Sequence, residues 1–562
     1  MYKITLSILF TMFSVLFAAA QTPTRLNSWG FLDSPPAPLK TIQTNFGTFY
    51  LNYQYPKGKM LKIESNGALT TLITIGGNSN TGYKLARMKQ NNDYAIIAIE
   101  AGDSAFFYKT DGTVANTTVA FKYGKNGGSQ AHDNDFALLG NKLYVIAYYF
   151  GAAGKFSGLV EVDLATNTSS TLVNYGTDIY NTDRFYKILS DNHNIYFYNK
   201  SNELYCFSKL DPVLKTPQTI ASDMSFWTTT DLMLIDDKPS YWAVKDTNVM
   251  MNGTAFITKR MYLKLYNPAD NSSRKLMDAG YFQSPPPSYL GKINDKYYFY
   301  SSGNFDLTSC NTVQCNGVVG ANLFEVTNTG SRLVKSVSVA GNTYTYSGNS
   351  KEVSDKIFVE ITTKSEGKEL WAATPDNFYM INDHNQGETL KDYGMRIDEA
   401  AVCGSKLIIP GSISLVSAKA DNEIFITDGT AGAFTKIDIL PAAQSNAKFV
   451  ANVNDKIYFL ATDSIKDAYN IQKTSIFTLD VCGATAIPTV SEIRNFTPRL
   501  VGDKILFENS VSDINIVALN GTSLLQTSAP TNELNVSGLN SGYYIIRVKE
   551  NQCWQYGRFV KR

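Results

Sequence analysis

Asn454-Asp455-Lys456-Ile457-Tyr458-Phe459-Leu460 sets two polar turn residues before an alternating run of β-branched and aromatic side chains, the pattern of a strand leaving a tight turn. Close copies are Asn294-Asp295-Lys296-Tyr297-Tyr298-Phe299-Tyr300, Ser354-Asp355-Lys356-Ile357-Phe358-Val359 and Gly404-Ser405-Lys406-Leu407-Ile408-Ile409. Looser ones are Gly140-Asn141-Lys142-Leu143-Tyr144-Val145 and Asn192-His193-Asn194-Ile195-Tyr196-Phe197. From Asn294 to Ser354 is 60 residues, and the next two steps, to Gly404 and to Asn454, are 50 each. Periods of that size belong to stacked supersecondary units.

Working outward, the pattern first appears at Thr48 and Tyr94 and continues around Leu143, Ile195, Trp242, Tyr298, Ile357, Leu407 and Ile457, giving nine candidate units. Within the last unit, 448–451 and 456–461 read as two strands, 475–480 as a third, and a short fourth is expected to follow. Four short antiparallel strands per unit is the pattern of a propeller blade, and no helical period competes with it. The expected fold is all-β: a β-propeller of seven to nine four-stranded blades, best taken as eight, whose end units are irregular or share one blade. A small Ig-like β-sandwich domain follows. A tandem of β-sandwiches or a β-solenoid is the alternative.

The totals narrow the partners. Lys+Arg is 51 and Asp+Glu 50, so no net field draws in nucleic acid. With 44% hydrophobic residues, 34 Tyr and 31 Phe, the chain is built for strand-rich cores rather than disorder. Lys3, the apolar run 4–17 and Ala18-Ala19-Ala20 before Gln21 read as a secretory signal over 1–20, and no later stretch is apolar enough to span a membrane. Residues 21–40, with Ser34-Pro35-Pro36-Ala37-Pro38, form a leader; 41–488 are the propeller, 489–498 a linker and 499–562 a separate small domain. No cysteine stands at the cleavage site, so no lipid anchor is indicated. Six cysteines suit an oxidising destination, and Cys310 and Cys315, which enclose a short polar loop, are a possible disulfide.

The final domain carries Val517-Ala518-Leu519-Asn520-Gly521, then Val536-Ser537-Gly538-Leu539-Asn540-Ser541-Gly542-Tyr543-Tyr544-Ile545-Ile546-Arg547-Val548, and Lys561 beside the terminus. In order and spacing it resembles the type A C-terminal sorting domain of the Bacteroidetes type IX secretion system; an ordinary Ig-like accessory domain is the alternative. The resemblance implies that Asn520, Gly521, Leu539, Gly542, Tyr543, Tyr544 and Lys561 carry the sorting motif. It also implies that the type IX machinery is a partner, and that the chain crosses the periplasm to be secreted or held on the outer surface of a Gram-negative cell.

Glu423-Ile424-Phe425-Ile426-Thr427-Asp428-Gly429-Thr430, with partial copies at Glu369-Leu370-Trp371 and Phe107-Tyr108-Lys109-Thr110-Asp111-Gly112-Thr113, resembles the ELWxxDGT repeats of secreted bacterial proteins. The expected work of Asp111, Gly112, Asp428 and Gly429 is structural, the acids accepting turn amides and the glycines taking positive φ. One acid per turn is too few for a calcium cage.

No catalytic motif appears, and His132, His193 and His384 lie in different units. No cofactor, metal or nucleic acid is expected. Trp227, Trp242 and Trp371 are read as core, with sugar stacking as the alternative. The favoured function is a non-enzymatic binding or adhesion propeller with a glycan or protein ligand on its loops, the connections near 249–253 and 310–315 being the longest. The alternatives are a secreted polysaccharide hydrolase or lyase working in the propeller channel, and a structural surface component.

Overall fold

The computed structural model describes residues 24–28 and 40–482 of one unit and 494–561 of another, apart from connecting stretches of which 125–134, 175–183, 223–231, 303–319, 383–393 and 413–422 are the longest. Among the described residues the first unit is nine four-stranded antiparallel sheets. Their second strands are Gly47–Gln54, Ala95–Ala101, Lys142–Gly151, Ile195–Ser201, Lys238–Met251, Lys296–Ser302, Lys356–Thr363, Lys406–Gly411 and Lys456–Lys466. Each candidate unit of the sequence is therefore one blade, and the count is nine rather than eight.

The turns explain why these segments fold as hairpins. Asn294 and Asp295 (φ 48° and 61°), Asn454 and Asp455 (50° and 61°) and Asp236 and Asp237 (47° and 59°) are paired left-handed residues. Two such residues make the turn whose twist matches that of the flanking strands. The strands then run buried on both faces, so Lys356–Thr363 has five consecutive buried positions. Fourth strands such as Thr168–Asn174 stay largely exposed and form the rim.

Nine core clusters lie at the nine junctions between consecutive blades. Phe49 and Met60 of blade 1 meet Ile97 and Phe106 of blade 2, and Trp242 of blade 5 meets Phe299 of blade 6. Tyr50 and Leu61 of blade 1 meet Tyr458 and Ile476 of blade 9, which closes the ring. Full burial of one such side chain contributes roughly 1.5–3 kcal/mol, so no blade is stable without both neighbours. Six junctions add a polar latch at the tight-turn end, a side chain of one blade donating to a carbonyl in a turn of the next. These are Lys62 to Gly112, Lys109 to Leu164, Arg274 to Asn328, Arg332 to Pro375, Tyr379 to Gly429 and Tyr458 to Ser65.

Two local expectations are corrected. The fourth strand of the last blade comes not from the residues after 480 but from Thr24–Ser28, inside the stretch assigned to the leader, which pairs with Gln472–Leu479. An edge strand of one terminus thus satisfies the open edge left by the other. At 249–253 there is no long loop: Lys238–Met251 and Thr254–Asn267 are themselves extended, separated by two residues. A disulfide joins Cys403 in the first strand of blade 8 to Cys482, just after the third strand of blade 9, with Cα atoms 5.4 Å apart. Cys310 and Cys315 lie outside the described residues, as do 1–20.

The second unit is a small β structure around one long strand, Lys504–Ala518. Its first half pairs with Arg499–Val501 and Thr531–Asn535, its second with Ser523–Thr527 and Gly542–Glu550. Gly542–Glu550 pairs in turn with the terminal strand Cys553–Lys561. Ile505, Ile514, Ile516, Val536, Ile546 and Val548 form its core.

Candidate functional site

First strands of the blades surround the propeller axis. At the tight-turn end, the ends of four of them (Tyr83–Gln90, Phe136–Leu139, Arg184–Ser190 and Met233–Ile235) and the turns that follow enclose a cavity of about 420 Å³. That volume suits a small ligand. Its wall includes Gln90 and Asn91 of blade 2, Leu138 of blade 3, Asp191 of blade 4, and Leu234 and Asp237 of blade 5.

The wall is held by its own hydrogen bonds. Asn91 Oδ1 accepts the backbone N–H of Asp93 and Tyr94, both at 2.9 Å, and Gln90 Oε1 accepts that of Asn45 at 2.9 Å. Backbone N–H groups only donate, so the atom of each side-chain amide that meets them is the oxygen, and these contacts hold the two side chains in place. Asp191 is similarly committed, to the N–H of His193 at 2.6 Å and the Tyr196 hydroxyl at 3.0 Å.

Behind the wall the same strands carry charge. Lys89 Nζ reaches over the Phe136 ring, 5.8 Å from its centroid, to within 3.5 Å of the Ile188 carbonyl, so it crosses the inner edge of blade 3. Burial lowers its pKa, with Asp135 opposing and Arg87 and Lys187 reinforcing the shift. Asp135 is itself buried; it accepts the N–H of Phe136 and of Ile188, each at 3.1 Å, and faces Arg87 at 3.4 Å. Across the ring, burial also lowers the pKa of Lys351 and Lys448, opposed by Asp398 and Glu399 respectively.

The repeat-turn residues lie elsewhere. Asp111 Oδ1 accepts the Thr113 N–H at 2.9 Å and Asp428 Oδ1 that of Thr430 at 2.8 Å. The Thr110 and Thr427 hydroxyls each accept the N–H of the turn glycine at 3.0 Å. Gly112 (φ 85°) and Gly429 (φ 82°) pack directly against the preceding blade, at Phe46 and Phe358. Trp242 and Trp371 are buried between blades. Trp227, His132 and His384 lie outside the described residues, and no group of three or more His, Cys, Asp or Glu among the described ones could hold a metal ion. The axial cavity was missed by sequence reasoning because Gln90-Asn91 is an ordinary polar turn until three other blades face it.

In the second unit, five motif positions converge. Lys561, 9% exposed, donates from Nζ to the carbonyls of Val536 at 2.6 Å and Ser537 at 2.8 Å, with Asp503 at 3.2 Å. Leu539 closes that turn with its N–H on the Val536 carbonyl and packs on the core. The Tyr544 hydroxyl donates to the Asn540 carbonyl at 2.7 Å, while Gly542 and Tyr543 pair in register with Lys561 and Val560. Asn520 and Gly521 lie outside the described residues.

No curated protein matches the chain. Among solved structures it is similar to the β-propeller domain of the trilobed protease from Pyrococcus furiosus, at 9% identity over 63% of this chain and 95% of that one, TM-score 0.32. It is also similar to a post-proline cleaving enzyme from Rickettsia typhi, at 9% identity over 82% and 60%, TM-score 0.38. A third is a puromycin-hydrolyzing peptidase from Mycobacterium tuberculosis, at 10% over 68% and 58%, TM-score 0.32. The chain spans about three-fifths of the length of these last two enzymes. Residues 503–562 match the family of secretion system C-terminal sorting domains, so the chain ends in a tail that marks it for export by type IX secretion.

Proposed function

We propose that the chain is an exported, non-catalytic binding propeller whose ligand is a glycan or a protein met outside the cell, and that the sorting motif around Lys561 is what the export machinery reads. The observation that carries the binding reading is the cavity formed where turns of four blades meet, with the polar residues Gln90, Asn91, Asp191 and Asp237 in its wall. Polar loop residues placed by a rigid scaffold are what recognition requires. The matched geometry of the Thr-Asp-Gly-Thr turns at 110–113 and 427–430 supports kinship of these blades with the ELWxxDGT repeats. The test is a glycan and protein array probed with the purified mature chain, run beside a polysaccharide hydrolysis assay. Saturable binding without turnover is expected; turnover of any bound glycan would overturn the reading.

A further inference from the structure

We infer that the Cys403–Cys482 bridge is a redox latch on the outer strand of blade 9: closed, it keeps Thr24–Ser28 docked on Gln472–Leu479, and reduced, it lets that strand go. The docked strand is marginal by itself. It has five residues, its single neighbour in the sheet is Gln472–Leu479, and its register is broken between Arg25 and Asn27. Short edge strands with few ladder bonds belong to the low-stability end of a fold, so docking depends on how well the partner edge is ordered.

That partner edge leads straight to the bridge. Thr24 to Ser28 pair with Thr478 back to Ser475, so they cover the C-terminal half of Gln472–Leu479 rather than its start. Cys482 follows Thr478 by four residues. Between them Val481 is buried in the cluster that also holds Cys403, Ile457 and Phe459. Cys403 belongs to Ala401–Cys403, the first strand of blade 8. The bridge therefore ties the end of an outer strand pair to a buried element of the neighbouring blade. Cys482 is also the last residue of the first unit. Ends of compact units fray unless tied down, and fraying inward from Cys482 reaches the residue paired with Thr24 first.

Closing the latch takes one proton and one electron from each thiol. The Cys403 or Cys482 thiolate attacks a disulfide oxidant, giving a mixed disulfide and one released thiolate; the second cysteine then displaces the other half of the oxidant, which leaves reduced. A chain marked for export passes from a reducing to an oxidising compartment, so blade 9 becomes locked only after that passage. Coupling is reciprocal: a docked Thr24–Ser28 protects the bridge as much as the bridge protects it.

Hydrogen–deuterium exchange of the full mature chain, read by mass spectrometry with and without dithiothreitol, tests the latch beside a Cys403→Ser, Cys482→Ser chain. Reduction is expected to speed exchange at 24–28 and 475–482 together by about tenfold, while Ala95–Ala101 in blade 2 keeps its protection. The double variant should exchange at the reduced rate whether or not dithiothreitol is present, which separates this bridge from the other cysteines. In the reciprocal arm, a chain lacking residues 21–28 should lose the bridge to dithiothreitol several times faster than the parent, as read by alkylation of Cys403 and Cys482. Unchanged exchange at 24–28 once the bridge is reduced, or equal rates of reduction in the reciprocal arm, would overturn the inference. So would loss of protection at Ala95–Ala101 in step with 24–28, since the bridge would then hold the whole propeller rather than one strand.

Discussion

The Tyr379 hydroxyl of blade 7 donates to the carbonyl of Gly429 in blade 8 at 2.8 Å, so the glycine of the most complete repeat motif is a joint between blades as well as a turn residue. Its φ of 82° and its packing leave no room for a side chain: a β-carbon there would lie 2.8 Å from Lys356 Cδ and 2.9 Å from the Phe358 ring.

Gly429→Ala should therefore destabilise the propeller by about 2–4 kcal/mol, adding left-handed strain to overpacking. Gly404→Ala makes the control. That glycine is also left-handed, at 59°, but faces open space, so only the strain of about 1–2 kcal/mol remains. Denaturant melts of the two variants should separate by the packing contribution, and equal losses would sink the joint role.

Blade 9 is completed by Thr24–Ser28 and tied to blade 8 by the Cys403–Cys482 bridge, which closes a span of 79 residues. On loop-entropy grounds that disulfide contributes about 4 kcal/mol. A Cys403→Ala, Cys482→Ala chain should melt well below the parent and lose its sensitivity to reductant. Removing residues 21–28 bares the edge of Gln472–Leu479, and size-exclusion chromatography should then show self-association through that edge.

Two buried glutamates should respond to pH with opposite sign. Hydrogen bonds from Arg332, then Lys296, hold Glu325 below the usual carboxylate pKa. Its stabilisation is therefore complete above the unfolded value and is lost as pH falls through the lower folded one. Burial instead raises the pKa of Glu360 despite Lys368 at 2.8 Å. Its native state holds the proton more tightly, so stability falls as pH rises from the unfolded value through the folded one. The gap between parent and Glu325→Gln should close on acidification below about pH 4.5, and that between parent and Glu360→Gln should shift in the parent's favour. Parallel curves from melts at stepped pH would refute the assignment.

Lys561 sits among carbonyls that lose their partner if the ammonium is removed, at a cost of about 1–3 kcal/mol to the tail. Lys561→Met should lower the melting point of the C-terminal unit and the extracellular fraction of the protein. Deleting 495–562 should hold the chain in the periplasm, and normal export of that truncation would remove the sorting role.

The repeat was legible because its determinants are local. Asn-Asp and Ser-Asp turns set left-handed corners, and the alternation after them commits each segment to strand, so nine second strands could be placed from residues alone. The tail was legible for a similar reason, its motif being short, ordered and terminal, and Lys561 and Leu539 meet at one turn. What only the tertiary structure decided is non-local. The blade count turned on whether the last sheet finds its fourth strand behind it or at the other end of the chain, a pairing between Thr24 and Thr478 that no local propensity encodes. The Cys403–Cys482 pairing and the axial cavity are of the same kind. Gln90, Leu138, Asp191 and Asp237 become one surface only when four blades pack side by side, because it is the burial of blade faces that brings their inner turns to a common axis.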